Sequence, residues 1–200
     1  MKPYDGKFNP QPQAEASDKL PVGVYIGKII NAQEETSEGN GRTFRKLAIM
    51  LDVTEGEYEG FYTKQYNANK DSKFGAKYKG ILRLNVPQAG DQYEETNRRK
   101  LENAIWAIEE SNPGYHWDWD EKKLKGKQVA FVVREFDWFF DGRTGTGTEI
   151  GKLAEIQDAR EGKVKLMKKR PLKQADQDAL NKRDAEMQQM EEAMDEDIPF

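Results

Sequence analysis

The sequence predicts a mainly β fold: a five-stranded barrel with one helix between strands three and four, followed by a disordered acidic C-terminal tail. Three observations predict it. Residues 47–53 alternate apolar and more polar side chains, as a half-buried strand does. Residues 101–108 place apolar side chains at i, i+3, i+4 and i+7, which is the stripe of an amphipathic helix. From residue 174 onward, acidic residues predominate over basic ones.

The first half of the chain predicts three strands. Residues 1–19 read as an irregular, proline-containing arm. The first strand follows over 21–30, where glycines suit a sharp bend. A turn at 37–41 leads to the second strand around 47–53, and the third is predicted over 58–67.

The second half predicts the helix and two more strands. The helix covers 94–110, and the strands cover 127–140 and 144–156. This order is that of an OB-fold, a five-stranded Greek-key barrel, although other small β-barrels and an α+β sandwich share the count. The predicted OB-fold domain is 20–173, and it departs from a minimal one by an insertion at about 68–93.

Charge is distributed unevenly along the chain. The overall net charge is −4, but residues 174–200 hold nine acids and two bases, a net of −7, which leaves +3 on the rest. A basic body followed by an acidic tail is typical of a polyanion-binding domain whose tail competes for the same surface. Apolar residues make up 36% of the chain and no long apolar run occurs, so we expect a cytoplasmic protein without a membrane partner.

The residues favour a binding protein over an enzyme, with no cofactor and no metal. The chain has no cysteine and a single histidine, His116, so thiolate zinc sites and the common nucleophile–base pairs have no candidates. Residues 145–152 resemble a phosphate loop, but Thr146 stands where the first glycine is required and Leu153 replaces the metal-binding hydroxyl residue. A glycine-rich β-turn explains this stretch better.

Strand alternation predicts a surface of aromatic and basic side chains. Successive strand residues point to opposite faces, so fixing the apolar positions in the core places their neighbours outside. Aromatic rings stack on bases and cations neutralise phosphates, which selects single strands because a duplex hides its base faces. The candidate DNA-binding residues on the strands are Arg42, Phe44, Lys46, Tyr62, Lys64, Tyr66, Arg134, Phe136 and Trp138. The insertion adds Lys73, Phe74, Lys77, Tyr78 and Lys79.

The chain ends in Asp195, Glu196, Asp197, Ile198, Pro199 and Phe200. Three carboxylates before an Ile-Pro-Phe end suit an apolar pocket rimmed by cations on a partner protein. This ending resembles the acidic Asp-Asp-Asp-Ile-Pro-Phe tip of bacterial single-stranded DNA-binding proteins, with Glu196 as the one change. In that family the tip docks on replication, repair and recombination enzymes, which the resemblance implies as partners here.

The whole chain is similar in layout to phage-encoded single-stranded DNA-binding proteins that keep this tail. The resemblance implies a protein that coats single-stranded DNA and works in the host cytoplasm. Two alternatives stay open: a β-barrel adaptor that uses the tail without binding DNA, and a single-stranded RNA-binding or annealing factor. A homodimer also stays open.

Overall fold

In the computed structural model, the described residues are 19–39, 42–71 and 76–196, with side chains described as far as residue 188. They form one antiparallel sheet of five strands and four α-helices. The strands are β1 (Gly23–Gly39), β2 (Arg42–Val53), β3 (Ile81–Asn85), β4 (Gln128–Phe140) and β5 (Arg143–Ala154). The helices are α1 (Phe61–Ala68), α2 (Glu94–Glu110), α3 (Ile156–Arg160) and α4 (Gln174–Glu196).

The strand order in the sheet is β3-β2-β1-β4-β5, with α2 between β3 and β4 in the chain. This is the connectivity predicted for an OB-like fold. The sheet is open, because no hydrogen-bonded ladder joins β3 to β5 among the described residues. The mainly β class, five strands and the position of the helix are therefore confirmed, and a closed barrel is not.

Gly27 lies where β1 pairs with both of its neighbouring strands, β2 and β4. Gly27 pairs with Val53 of β2 and with Val129 of β4. A Cβ at this position would lie 2.3 Å from the Asp52 carbonyl oxygen and 2.6 Å from the Phe131 ring. Only glycine allows the strands to approach this closely, which accounts for the glycine-rich sequence of the first strand.

The core lies on one face of the sheet and under α2. The alternating residues of β2, namely Leu47, Ile49, Leu51 and Val53, are all buried. They pack with Val129, Phe131 and Val133 of β4 and with the apolar stripe of α2, which contributes Leu101, Ala104, Ala107 and Ile108. The predicted periods of β2, β4 and α2 therefore correspond to real buried faces.

The predicted third strand at 58–67 is wrong. These residues include α1, and β3 lies instead within the segment that was predicted to be an insertion. The reason is a cap from outside the helix: the buried carboxylate of Asp52 accepts backbone N–H hydrogen bonds from Tyr62 (2.9 Å) and Thr63 (3.0 Å) at the first turn of α1. A carboxylate there satisfies otherwise unpaired amides and favours the helix.

The predicted disorder of the tail is also wrong for most of its length, because α4 covers Gln174–Glu196. Helical hydrogen bonds between side chains four residues apart support its first turns, from Gln174 to Asp178 and from Gln177 to Asn181. Residues 197–200 lie outside the described part of the chain.

Candidate nucleic-acid interface

A groove of about 270 Å³ opens between α1, the residues just before β3 and the β4–β5 hairpin. We call it the hairpin groove. Its lining residues are Lys19, Leu20, Phe61, Tyr62, Gln65, Lys79, Phe136, Trp138, Thr146, Gly147 and Thr148. It brings together four residues predicted from the sequence, Tyr62, Lys79, Phe136 and Trp138, although they lie on three separate segments.

The hairpin side of the groove is an aromatic surface supported by glycines. Phe136 lies opposite Gly147, and Trp138 lies opposite Gly145 in the β4–β5 ladder. A Cβ at Gly145 would come within 2.5 Å of the Trp138 ring, and one at Gly147 within 2.7 Å of the Phe136 ring. The rings therefore lie directly over the β5 backbone, and Trp138 still exposes 37% of its surface. Such rings are fixed in place before any ligand arrives.

The α1 side of the groove is the end of a chain of aromatic contacts. Phe61 packs edge-on against Tyr62 with centroids 5.4 Å apart. Tyr62 then contacts Tyr78 at 6.1 Å, and Tyr78 contacts Tyr66 at the same distance. This wall is tied to the core rather than carried on a free loop.

Tyr62 and Tyr78 stabilise the fold, a role that the sequence did not predict for them. Tyr62 is 5% exposed and packs in the core instead of pointing outward. The Tyr78 hydroxyl donates a hydrogen bond to the Leu51 carbonyl at 2.8 Å. Burial, followed by neighbouring charges including Asp52, raises the pKa of both hydroxyls, so both are neutral near pH 7.

The groove carries cations and no carboxylate among its described lining residues. Lys79 is exposed at one edge, and Lys19 reaches the Thr146 carbonyl from the other. Lys77 is exposed nearby in sequence. Lys64, on α1, donates to the Glu59 carbonyl at 2.7 Å and lies on the helix face opposite Tyr62 and Tyr66. The charged side chains that line the groove are therefore positive, which attracts a polyanion.

Arg134 is not available as a phosphate ligand in the way the sequence predicted. Its Nε donates to Glu149 Oε1 at 2.9 Å. Arg170 donates to both oxygens of the same carboxylate, at 2.9 and 3.0 Å. Burial raises the pKa of Glu149, but the hydrogen bonds from Arg170 and Arg134 outweigh it, so the pKa is lowered. One carboxylate thus holds two guanidinium groups.

Arg170 also fixes Phe136. The Arg170 backbone bridges β4, donating to the Glu135 carbonyl and accepting from the Asp137 amide, both at 2.9 Å. Its guanidinium lies 4.9 Å from the Phe136 ring centroid. The sequence showed a basic run around Arg170 but gave no sign that it lies along β4. The contact between Phe136 and this run was missed for that reason.

Three predicted residues lie elsewhere. Arg42, Phe44 and Lys46 are near the start of β2, where Phe44 pairs with Ser37 at the far end of β1. Phe136 lies beyond the other end of β1, since Gly23 already pairs with Val133. Arg42 and Phe44 are exposed, Phe44 by 41%, and Lys46 is half-buried, but Thr43 and Arg45 between them are exposed as well. A single continuous face joining this group to the hairpin groove is not formed.

Several residues of the hairpin groove were not predicted from the sequence, for different reasons. Phe61 lies in the segment predicted to be the third strand, and from α1 it both packs against the core and lines the groove. Lys19 and Gln65 carry no local motif, so only the fold brings them to the groove. Thr146 and Thr148 lie in the glycine-rich stretch that was interpreted as a β-turn, and this stretch is part of β5 instead. Lys73 and Phe74, both predicted to bind, lie outside the described residues, as do Asp197, Ile198, Pro199 and Phe200 of the tip. Asp195 and Glu196 end α4.

The tail helix lies against the hairpin. Arg183 donates to the Gly142 carbonyl, and its guanidinium is 5.8 Å from the Phe139 ring centroid. These are contacts to the tip of the β4–β5 hairpin, the element that supplies Phe136 and Trp138. The first part of the acidic tail is therefore held at the tip of the hairpin, against Phe139, which points to the opposite face of β4 from Phe136 and Trp138.

No family model and no curated protein matches this chain. A solved structure described as yeast RPA bound to ssDNA matches with a TM-score of 0.30 and 11% identity, covering 90% of this chain and 99% of that one. A TM-score this low supports no conclusion, so the proposal below depends on the geometry. Within the described ranges, no helix has the length and apolarity to cross a membrane, and no cluster of His, Cys, Asp or Glu suits a metal ion.

Proposed function

We propose that this protein binds single-stranded DNA without sequence preference through the hairpin groove. The observation that carries the proposal is the composition of that groove: the exposed ring of Trp138 beside the partly buried rings of Phe61 and Phe136, with lysines and no carboxylate among the described lining residues. Bases stack on Trp138 and the neighbouring rings, and Lys19 and Lys79 neutralise the adjacent phosphates. Each stacked base contributes about 1–3 kcal/mol whatever its identity.

The polar lining favours general rather than specific recognition. Gln65 is the one amide side chain among the described lining residues that can pair bidentately with a base, and Thr146 and Thr148 add only single hydroxyls, so the lining has too few such contacts to read a sequence. The faces of the bases are accessible only in an unpaired strand. Duplex DNA therefore cannot stack its bases on Trp138. The expected ligand is therefore any unpaired stretch of DNA.

The wider role that we propose is the coating and protection of single-stranded DNA during replication, repair and recombination, without catalysis. The acidic tip at residues 195–200 recruits partner enzymes to the coated strand. Its support is the sequence of the tip and the location of α4 beside the hairpin. This role places the protein in the cytoplasm, and in that of the host if a phage encodes it.

The test is fluorescence anisotropy of a labelled oligo-dT titrated with the full chain over a salt series. We expect tight binding, weak competition by duplex DNA and an affinity that falls with salt. Lys79→Ala weakens binding, whereas Lys100→Ala, an exposed lysine on α2, does not. Absence of binding at low salt would contradict the proposal and leave the adaptor role. A preference for matched oligo-rU would assign the groove to RNA.

A further inference from the structure

A second groove, of about 410 Å³, lies along α2 on a part of the molecule that the hairpin groove does not include. We call it the α2 groove. Its apolar lining residues are Pro87, Leu101, Ile105, Trp106, Trp117 and Trp119. Trp106 exposes 50% of its surface and Trp119 exposes 65%. Two tryptophans this exposed beside an apolar groove mark a surface that is normally covered.

The loop that forms one wall of the groove is held in a strained conformation. Trp119 has a φ of 69°, in the left-handed region that a bulky residue avoids. Its ring packs on Trp117 with centroids 4.8 Å apart. The Trp117 amide donates to Glu109 Oε1 at 2.8 Å, and its indole N–H donates to the Asp120 carbonyl at 3.3 Å. The loop is therefore fixed with Trp117 packed against the core and the Trp119 indole presented to solvent.

The α2 groove suits neither nucleic acid nor the acidic tail of this chain. Residues 94–125 carry eight acids and six bases, a net of −2, and Glu102 and Glu109 lie at the groove. This charge repels phosphates. It also repels α4, whose 23 residues hold eight acids and two bases. An uncharged or self-complementary surface fits better.

The charge pattern of α2 is self-complementary. The residues of α2 that line the groove form one stripe, with Arg98 near its start and Glu109 near its end. Two such stripes packed antiparallel about a twofold axis bring Arg98 of each chain to Glu109 of the other, with Ile105 and Trp106 near the axis. A parallel pairing would oppose like charges. An isologous contact of this kind uses one patch twice.

Both end groups lie at the groove, Arg98 with 55% and Glu109 with 27% of its side chain accessible. Arg98 bonds Glu102 of its own helix at 3.1 Å, and both side chains are more than half exposed. Glu109 uses Oε1 for the Trp117 amide, while its Oε2 is 3.9 Å from His116 Nδ1. We propose that the α2 groove binds a second copy of this chain, antiparallel about a twofold axis, through Trp106, Trp119 and reciprocal Arg98–Glu109 pairs.

The test is sedimentation velocity of the full chain over a concentration series without DNA. We expect a species of twice the 23.0 kDa chain mass. Arg98→Glu and Glu109→Arg each oppose like charges twice and weaken the dimer at least tenfold. An equimolar mixture of these two variants restores it, because both cross-chain pairs are then opposite in charge. Circular dichroism spectra check that each variant is folded, and Tyr93→Ala, an exposed aromatic outside the groove, is the control.

A monomeric wild type would overturn this proposal, as would a dimer that neither charge variant weakens or a mixture that fails to restore it. Loss of oligo-dT binding in Trp106→Ala together with a monomeric wild type would assign the surface to nucleic acid instead. Because sedimentation is measured without DNA, its outcome is independent of whether the hairpin groove binds a single strand.

Discussion

The hairpin groove and the α2 groove each have an exposed tryptophan among their aromatic lining residues, yet they differ in charge and support. The hairpin groove has lysines and no described carboxylate, and its rings lie on glycines of a neighbouring strand. The α2 groove is larger, carries Glu102 and Glu109, and is presented by one helix and a strained loop. Aromatic exposure alone therefore does not identify a nucleic-acid surface, and the sign of the surrounding charge separates the two.

The largest expected effect is a charge reversal in the hairpin groove. Lys19→Glu with Lys79→Glu should weaken oligo-dT binding about 100-fold at low salt and reduce the magnitude of the salt slope by about 1.4, because two phosphate contacts are lost. Fluorescence anisotropy over a salt series measures both.

The control for this reversal changes the net charge equally near the other groove. Lys100→Glu with Lys122→Glu alters two exposed lysines of the α2 region and should change affinity by no more than about twofold. Equal losses in both double variants would mean that net charge, not the groove, governs binding.

A second effect compares one exposed tryptophan from each groove, Trp138 and Trp106. Trp138→Ala should weaken binding of an eight-nucleotide oligo-dT about tenfold, because one stacking surface is removed. Trp106→Ala should leave that short-oligonucleotide affinity unchanged while it weakens the dimer. A short oligonucleotide is used so that one protomer binds it without help from a second. The reverse pattern would exchange the functions of the two grooves.

A third effect concerns the support of the hairpin groove. Glu149→Gln leaves Arg134 and Arg170 against a neutral amide and should lower the free energy of unfolding by about 1–2 kcal/mol at pH 7. The pKa of Glu149 is lowered in the folded state, so its contribution is present above the unfolded pKa of about 4.3 and is lost as the pH falls toward the folded pKa.

Urea denaturation at pH 7 and at pH 3 measures the Glu149 effect. The difference between wild type and Glu149→Gln should shrink at the lower pH. Glu135→Gln, an exposed carboxylate on β4, is the matched control and should change stability by less than about 0.5 kcal/mol. A difference that stays constant with pH would show that the charge of Glu149 is not its source.

The smallest effect is expected at the start of β2. Phe44→Ala should change short-oligonucleotide affinity less than about twofold, because Phe44 lies at the far end of β1 from Phe136. The measurement is the same anisotropy titration. A loss of more than about fivefold would extend the binding path from the hairpin groove across the sheet to Phe44, as the sequence predicted.

Elements with a clear local period were predictable. The stripe of α2 and the alternation of Leu47, Ile49 and Leu51 in β2 mark faces that are buried. In β4, Ala130 and Val132 are buried together with Val129, Phe131 and Val133, so both faces of its first half are covered. Phe136 and Trp138 follow on the same face as Val132, with Phe136 partly buried and Trp138 exposed.

The error at 58–67 arose because the deciding interaction is distant in sequence. The aromatic residues there suit a strand locally, and the carboxylate of Asp52 stabilises a helix instead by accepting amides of its first turn. The true third strand, Ile81–Asn85, has only five residues, too few for its period to distinguish it from the surrounding segment.

The sequence by itself determined the mainly β class, the order of strands and helix, the division of charge between body and tail, and the acidic Ile-Pro-Phe end. These depend on local period and composition, which the chain carries whatever its partners. Only the tertiary structure decided which aromatics share a groove, which arginines are neutralised by Glu149, and where the run containing Arg170 lies. Those outcomes depend on contacts between residues far apart in the chain, and no local pattern encodes such contacts.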